Sequence, residues 1–156
     1  AVSGFEDAAE RIRWYTLRWG VEVFHRIIKS GCRVEDRMLE TVERIKRCLA
    51  LDLVAAWRVH QLTHASRETP DVSCTGFLEE DEWKVLHLVA RNEPPPETPP
   101  TLHTAVHLIA KLGGFLGRTR GREPGPTVLW RGLTRLDAMV IGYRAAMRHL
   151  PPPHPP

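Results

Sequence analysis

Four side chains in the stretch YTLRWGVEVFHRIIK, residues 15 to 29, have types and spacings that could bind phosphates and a metal ion. An α-helix advances about 100° per residue, and on it these side chains lie within an arc of about 60°: Tyr15, Arg18, Glu22 and Lys29. A carboxylate supplies the oxygen ligands that Mg²⁺ prefers, and cationic side chains bind phosphate. A tyrosine hydroxyl can donate to phosphate, and its ring can stack on a base. We call these four residues the polar row.

The same helix has an apolar side that could position the polar row. Residues spaced by three and four form a separate arc: Trp14, Leu17, Val21, Phe24 and Ile28. We expect this arc to pack while the polar row faces outward. The spacing also allows a simpler interpretation, in which the row is only a solvated face with an ion pair between residues four apart.

The composition is that of a folded globular chain and leaves the partner open. The 156 residues suit one domain or two small ones, with 42% hydrophobic and 26% charged residues. A net charge of +3 permits a nucleic-acid partner without requiring one. The three cysteines form no CxxC motif, which predicts a reducing cytoplasm rather than a disulfide framework. The chain opens with Ala1 rather than Met, which suggests a piece of a longer protein.

The pattern of apolar residues and breakers predicts a mainly α fold. Helices are expected at residues 6–29, 35–65, 79–91 and 101–113, and from Pro126 or Thr127 to His149. The acidic residues 79–82 suit a helix start better than a metal site. Residues 93–100 form a proline-rich connector, residues 117–126 a basic loop, and residues 72–78 the only place for a short extended piece.

Two histidine pairs have the i, i+4 spacing that metal sites use, namely His60 with His64 and His103 with His107. Neither pair has a third ligand at a companion spacing, and no HExxH motif is present. We therefore expect partly exposed structural histidines rather than a zinc site. No P-loop, GxGxxG or GxSxG motif points to another enzyme class.

The polar row, written Tyr-x2-Arg-x3-Glu-x6-Lys, resembles the signature of the IS-four family of bacterial DDE-type cut-and-paste transposases, with every spacing matched. Two later segments resemble the C-terminal tail of the Tn-five-like members of this family. They are LIAKLGGFLGR at residues 108 to 118 and the Pro-Gly-Pro-x-x-Leu-Trp-Arg-Gly-Leu run at residues 124 to 133.

This resemblance implies an RNase H-like (retroviral-integrase-like) catalytic core with three metal-binding carboxylates, of which Glu22 would be the catalytic third. Tyr15, Arg18 and Lys29 would bind phosphates of double-stranded transposon-end DNA, beside Mg²⁺ or Mn²⁺. The two other carboxylates of the family are upstream aspartates that this sequence lacks, so the chain alone is expected to cleave no DNA. The implied location is the bacterial cytoplasm, at the nucleoid, and neither a membrane partner nor a small-molecule substrate is expected.

The resemblance also suggests how the chain is organised. Residues 1–66 would end the catalytic core, and residues 67–100 would hold a turn-rich segment, a short helix and the connector. Residues 101–150 would form a helical C-terminal dimerisation domain, followed by a proline-rich tail at residues 151–156. The alternative is a helical interaction and dimerisation module without catalysis.

The last predicted helix carries a heptad stripe with 4-3-4-3-4 spacing: Leu129, Leu133, Leu136, Val140, Tyr143 and Met147. Gly132 and Gly142 lie beside it and would let another backbone come close. We expect the stripe to pair with its copy in a second subunit when two DNA ends are held together. The spacing also allows the stripe to pack onto its own domain.

Overall fold

The computed structural model describes residues 4–32, 34–117 and 123–149, and in these ranges the protein is mainly α, as predicted. Its five α-helices are α1 (Phe5–Arg26), α2 (Val42–Glu68), α3 (Glu80–Arg91), α4 (Leu102–Leu112) and α5 (Pro126–His149). The predicted tail and residues 118–122 of the basic loop lie outside the described residues. None of the described helices combines the length and apolar character needed to cross a membrane.

Three short elements complete the described fold. A π-helical turn follows α1 at Ile27–Gly31, and 3-10 turns lie at Val34–Asp36 and Cys74–Gly76. An isolated antiparallel bridge joins Ser73 and Thr101, within the stretch where a short extended piece was expected. The chain divides into two compact units, residues 1–60 and 61–156, with the boundary inside α2.

In the first unit, the end of α1 packs against α2 through aromatic rings. The ring centroid of Phe24 lies 6.2 Å from that of Trp57 and 6.3 Å from that of His60. The apolar arc of α1 packs as expected only at this end, because Trp14 and Leu17 are 63% and 69% exposed. No residue of α1 is buried, since nothing described in this unit covers its first turns.

The start of α2 differs from the prediction by seven residues, 42 instead of 35. Arg37 does not continue the helix, because its guanidinium reaches back to Asp52 and to the carbonyl of Cys32. The helix then begins after Thr41, whose hydroxyl accepts a hydrogen bond from the N–H of Arg44 at 3.4 Å. A threonine at this place is a favourable N-cap, and this was the signal for the true helix start.

In the second unit, α3, α4 and α5 contact one another around one core. The side chains of Leu86, Ile109, Leu129 and Leu136 are fully buried there. The predicted acidic start of α3 is confirmed, and Arg144 of α5 pairs with its first acids, including Asp81 at 3.0 Å. The ends of α4 also follow the sequence, with Thr101 as its N-cap and a glycine at its C-cap.

The backbones of α4 and α5 touch directly at two glycines. A Cβ atom added to Gly132 would lie 2.0 Å from the carbonyl oxygen of Ile109, and one added to Gly113 would lie 1.9 Å from that of Val128. Both distances are far below van der Waals contact. Gly132 therefore lets α4 of the same chain come close, whereas the sequence had suggested the helix of a partner.

The structure also corrects the role of the heptad stripe. Leu129, Leu133, Leu136 and Val140 are at most 5% exposed within a single chain, so they belong to the core of the second unit. A partner helix cannot reach them without opening that core. Of the remaining stripe residues, Tyr143 is half-buried and Met147 is exposed. The alternative left open by the spacing, packing onto the domain itself, is correct for these four positions.

The two glycines of α5 should respond to alanine in opposite directions. We expect Gly132→Ala to destabilise the chain by about 2 kcal/mol or more, because two backbones must separate. Gly142 has open space around its Cα, so Gly142→Ala should stabilise by about 0.5–1 kcal/mol through helix propensity. Urea unfolding of both variants measures the difference, and equal effects would contradict the close approach of α4 and α5.

Candidate functional site

Three members of the polar row lie together on the exposed surface of α1. A guanidinium nitrogen of Arg18 is 3.8 Å from a carboxylate oxygen of Glu22. The Cζ atom of the same guanidinium is 5.6 Å from the centroid of the Tyr15 ring. The side chains of Arg18 and Glu22 are 65% and 50% exposed. The predicted grouping of a hydroxyl, a guanidinium and a carboxylate is therefore present on one accessible face.

The Arg18–Glu22 contact leaves both groups able to bind something else. A separation of 3.8 Å exceeds the 2.7–3.2 Å of an N–H···O hydrogen bond, so donor and acceptor positions stay open. An exposed i, i+4 ion pair stabilises a helix by about 0.3–0.5 kcal/mol. A ligand that separated the two side chains would lose little of this small free energy. The pair is equally what a solvated helix face would show, so the contact alone does not assign a function.

Lys29 differs from the other three because it lies on the π-helical turn. α1 ends at Arg26, and the N–H of Cys32 donates to the carbonyl of Ile27 at 3.2 Å, a bond across five residues. A π turn contains more residues than an α turn, so Lys29 is rotated less than the α-helical spacing assumed. It therefore departs from the straight line of the polar row. Such turns are rare and often occur at functional sites.

The π turn is held in place by buried groups that sequence analysis missed. Ile27 and Cys32 are buried, and the Cys32 thiol lies 3.7 Å from the backbone carbonyl of Asp52. The carboxylate of Asp52 is 6% exposed and pairs with Arg37 at 2.7 Å. A buried carboxylate requires such a partner, because an unpaired charge is costly to remove from water. Asp52 stands three residues after Leu49 and four before Ala56, a spacing that places it on the same helix face as these apolar residues, and this was the available signal.

The packed face of α2 includes the buried carboxylate of Asp52. Ala56 and Val59 are fully buried at spacings of four and seven from Asp52, whereas Val42 and Trp57 are more than half exposed. A polar group, the Asp52 carboxylate, thus anchors the first unit by holding the segment directly after Lys29.

Glu22 does not belong to a ready-made metal site in the described part of the chain. Among these residues, the groups of three potential metal ligands include only His103, His107 and Glu123, from the second unit. The other histidine pair, His60 and His64, is not part of such a group. A metal ion bound by Glu22 would therefore need further carboxylates, from outside the surroundings of Glu22 in the described ranges.

Comparison with known families adds an independent observation. A family model described as the transposase Tn5 dimerisation domain matches residues 54–150. The match includes the second half of α2 and all of α3, α4 and α5. It starts after the polar row, so the family assignment and the row are separate findings about different parts of the chain.

The Cys32 thiol can report whether the π turn is docked. Burial, and next the negative charge of Asp52, raise the pKa of this thiol to about 11 from an ordinary value of 9.0. At pH 8 the thiolate fraction of Cys32 is therefore about 100-fold smaller in the folded protein than in the unfolded chain. Only the thiolate reacts with alkylating reagents. We expect iodoacetamide to modify Cys32 at least that much more slowly in the folded protein than in urea, as followed by peptide mass spectrometry. Equal rates in both conditions would mean that the turn carrying Lys29 is not docked.

Proposed function

The chain belongs to the family of the transposase Tn5 dimerisation domain, and we propose that it works as the C-terminal region of a cut-and-paste DNA transposase that acts as paired subunits. The observation that carries this proposal is the family match over residues 54–150. The match makes the chain a Tn5-like transposase C-terminal region with a dimerisation domain. DNA binding, catalysis and the place of the interface are the parts that we propose.

In this proposal Glu22 is a catalytic residue that helps to hold Mg²⁺ at the scissile phosphate of a transposon end. Phosphodiester cleavage by two metal ions requires carboxylates that stabilise both the attacking and the leaving oxygen. Glu22 supports this role because its carboxylate is half exposed on α1 and its ion pair is loose. The other carboxylates would come from a catalytic core that precedes the polar row, with an RNase H-like fold.

The cationic members of the row would hold the DNA backbone next to that metal site. Arg18 offers a planar guanidinium for two hydrogen bonds to a phosphate, and Lys29 offers a compact charge from the π turn. The ring of Tyr15 is 69% exposed and could stack on a base at the transposon end. These contacts position DNA without reading its sequence.

A charge-removing substitution at Glu22 tests the catalytic proposal. In a full-length parent enzyme, Glu22→Gln should abolish strand nicking at a transposon end in Mg²⁺ while end binding persists. The amide is nearly isosteric with the carboxylate but is a poor Mg²⁺ ligand. Glu10→Gln, the same change at another exposed position of α1, is the matched control and should keep wild-type activity.

Nicking by Glu22→Gln at the wild-type rate would rule out the catalytic role. The row would then be a solvated face, and the chain would act only as a dimerisation module. That alternative is favoured by the start of the family match at residue 54, beyond the row. Under both interpretations, the 156-residue chain alone should cleave no DNA, since one carboxylate cannot hold two metal ions.

The exposed face of α5, opposite the buried heptad stripe, is the surface that we propose for the second subunit. Its second half carries small residues around one large apolar side chain: Ala138, Ile141, Gly142 and Ala145. Ile141 is 69% exposed, and the space around Gly142 is open. Small side chains would let two α5 helices approach closely, while Ile141 would supply apolar area in the contact.

A charged residue at Ile141 should therefore prevent pairing without disturbing the fold. We expect Ile141→Glu to weaken assembly of paired transposon ends by more than about tenfold, because an unpaired carboxylate would have to be buried. Met38→Glu introduces the same charge at a residue that is 99% exposed in the first unit, and should have no effect. Native gel electrophoresis of the parent enzyme with end DNA measures the assembly, and equal behaviour of both variants would contradict this interface.

A further inference from the structure

We propose that His103, His107 and Glu123 form a binding site for one divalent transition-metal ion, with Zn²⁺ as its occupant. One potential ligand atom from each residue lies within 4.8 Å of the other two. This site is in the second unit and uses none of the residues of the polar row. It goes beyond the proposed transposase function and does not depend on it.

The third ligand comes from a place that sequence spacing cannot identify. The histidines occupy successive turns of α4, and their ring centroids are 4.4 Å apart. Glu123 lies sixteen residues after His107, in the segment that leads into α5. The fold of the second unit brings this carboxylate to the histidine pair, so the reason for rejecting zinc at the sequence level no longer applies.

The distances fit a shared ion better than direct hydrogen bonds. The carboxylate oxygens of Glu123 are 3.8 Å from Nε2 of His103 and 3.5 Å from Nε2 of His107. Two ligands bound tetrahedrally at about 2.0–2.1 Å from zinc are separated by about 3.3 Å. A direct N–H···O hydrogen bond would require about 2.7–3.2 Å. The three groups therefore surround a position that an ion could occupy after small side-chain movements.

The Nε2 atom of His107 gives a second, independent reason. It is buried and has no hydrogen-bond partner among the described residues. A buried polar atom without a partner is unfavourable unless something satisfies it. The lone pair of a neutral imidazole is a preferred zinc ligand, so a metal ion at this position would satisfy it.

The chemistry of the three ligands selects the kind of ion. Two imidazole nitrogens and one carboxylate suit Zn²⁺ and related transition metals, whereas Mg²⁺ prefers oxygen ligands only. Three protein ligands leave one position for water, which agrees with the partial exposure of all three side chains. This site would therefore not compete for the Mg²⁺ of the proposed catalytic centre.

Neighbouring groups hold the ligands in position. The ring of Phe115 meets that of His107 edge to face, with centroids 6.0 Å apart. Pro124 is fully buried and fixes the backbone next to Glu123. A bound ion would join this segment to α4 and so stabilise the entry into α5, the helix of the proposed interface.

Zinc titration of the tag-free chain tests the proposal directly. We expect one Zn²⁺ per chain by competition with a chromophoric zinc indicator, and a higher thermal unfolding temperature with ZnCl₂ than with EDTA. His103→Asn and Glu123→Gln should each weaken binding by more than about tenfold, since even outer-shell changes cost about 10–100-fold in affinity. The controls His149→Asn and Glu93→Gln change the same residue types at exposed positions of the same unit and should bind normally.

Circular dichroism without metal verifies that each variant is folded. His103→Asn and Glu123→Gln remove different ligands, so each tests the site independently. Failure of the wild-type chain to bind Zn²⁺ would overturn the proposal. Wild-type affinity in Glu123→Gln would also overturn it, because binding would then be adventitious and due to surface histidines. Competition by MgCl₂ at a similar concentration would contradict the choice of a transition metal.

Discussion

Direct contact between the backbones of α4 and α5 determines which surfaces the second unit can offer to other molecules. At Gly113 and Gly132 no side chain separates the two helices, so α5 must turn one particular face inward. That face is the heptad stripe, whose residues Leu129 to Val140 become core. The opposite face of α5 is then the exposed one by necessity. The proposed contact with a second subunit follows from this internal contact rather than from the heptad spacing itself.

The polar row depends on a different kind of interaction. α1 has no buried residue, although most of the stability of a helix in a protein comes from the packing of its apolar face. Within its unit it is held at one end, by the ring of Phe24 and by the π turn with Ile27. The Arg37–Asp52 ion pair fixes the segment beyond that turn. A buried carboxylate, that of Asp52, thus anchors the segment that follows a row whose proposed work requires exposed charges.

Sequence reasoning was most accurate where local chemistry decides the structure. Thr101 as an N-cap and the proline that starts α5 mark helix ends by hydrogen bonding and backbone geometry alone, and both were predicted. The start of α2 was missed because Arg37 pairs with a residue fifteen positions away. Spacing showed that the heptad stripe shares one face, yet only the tertiary fold shows what covers it. Glu123 reaches the histidines for the same non-local reason, whereas the grouping of Tyr15, Arg18 and Glu22 needed only a helix.

In a continuous α-helix, the direction of the Lys29 side chain would be fixed relative to those of Tyr15, Arg18 and Glu22. The π turn at Ile27–Gly31 removes this fixed relation. It forms a wider last turn, after which the chain does not continue as an α-helix. The orientation of Tyr15, Arg18 and Glu22 is set before this turn, and that of Lys29 is set within it. A change in the length of this one turn can therefore redirect the Lys29 ammonium group in a related protein. The Glu22 carboxylate and the Arg18 guanidinium would keep their mutual geometry.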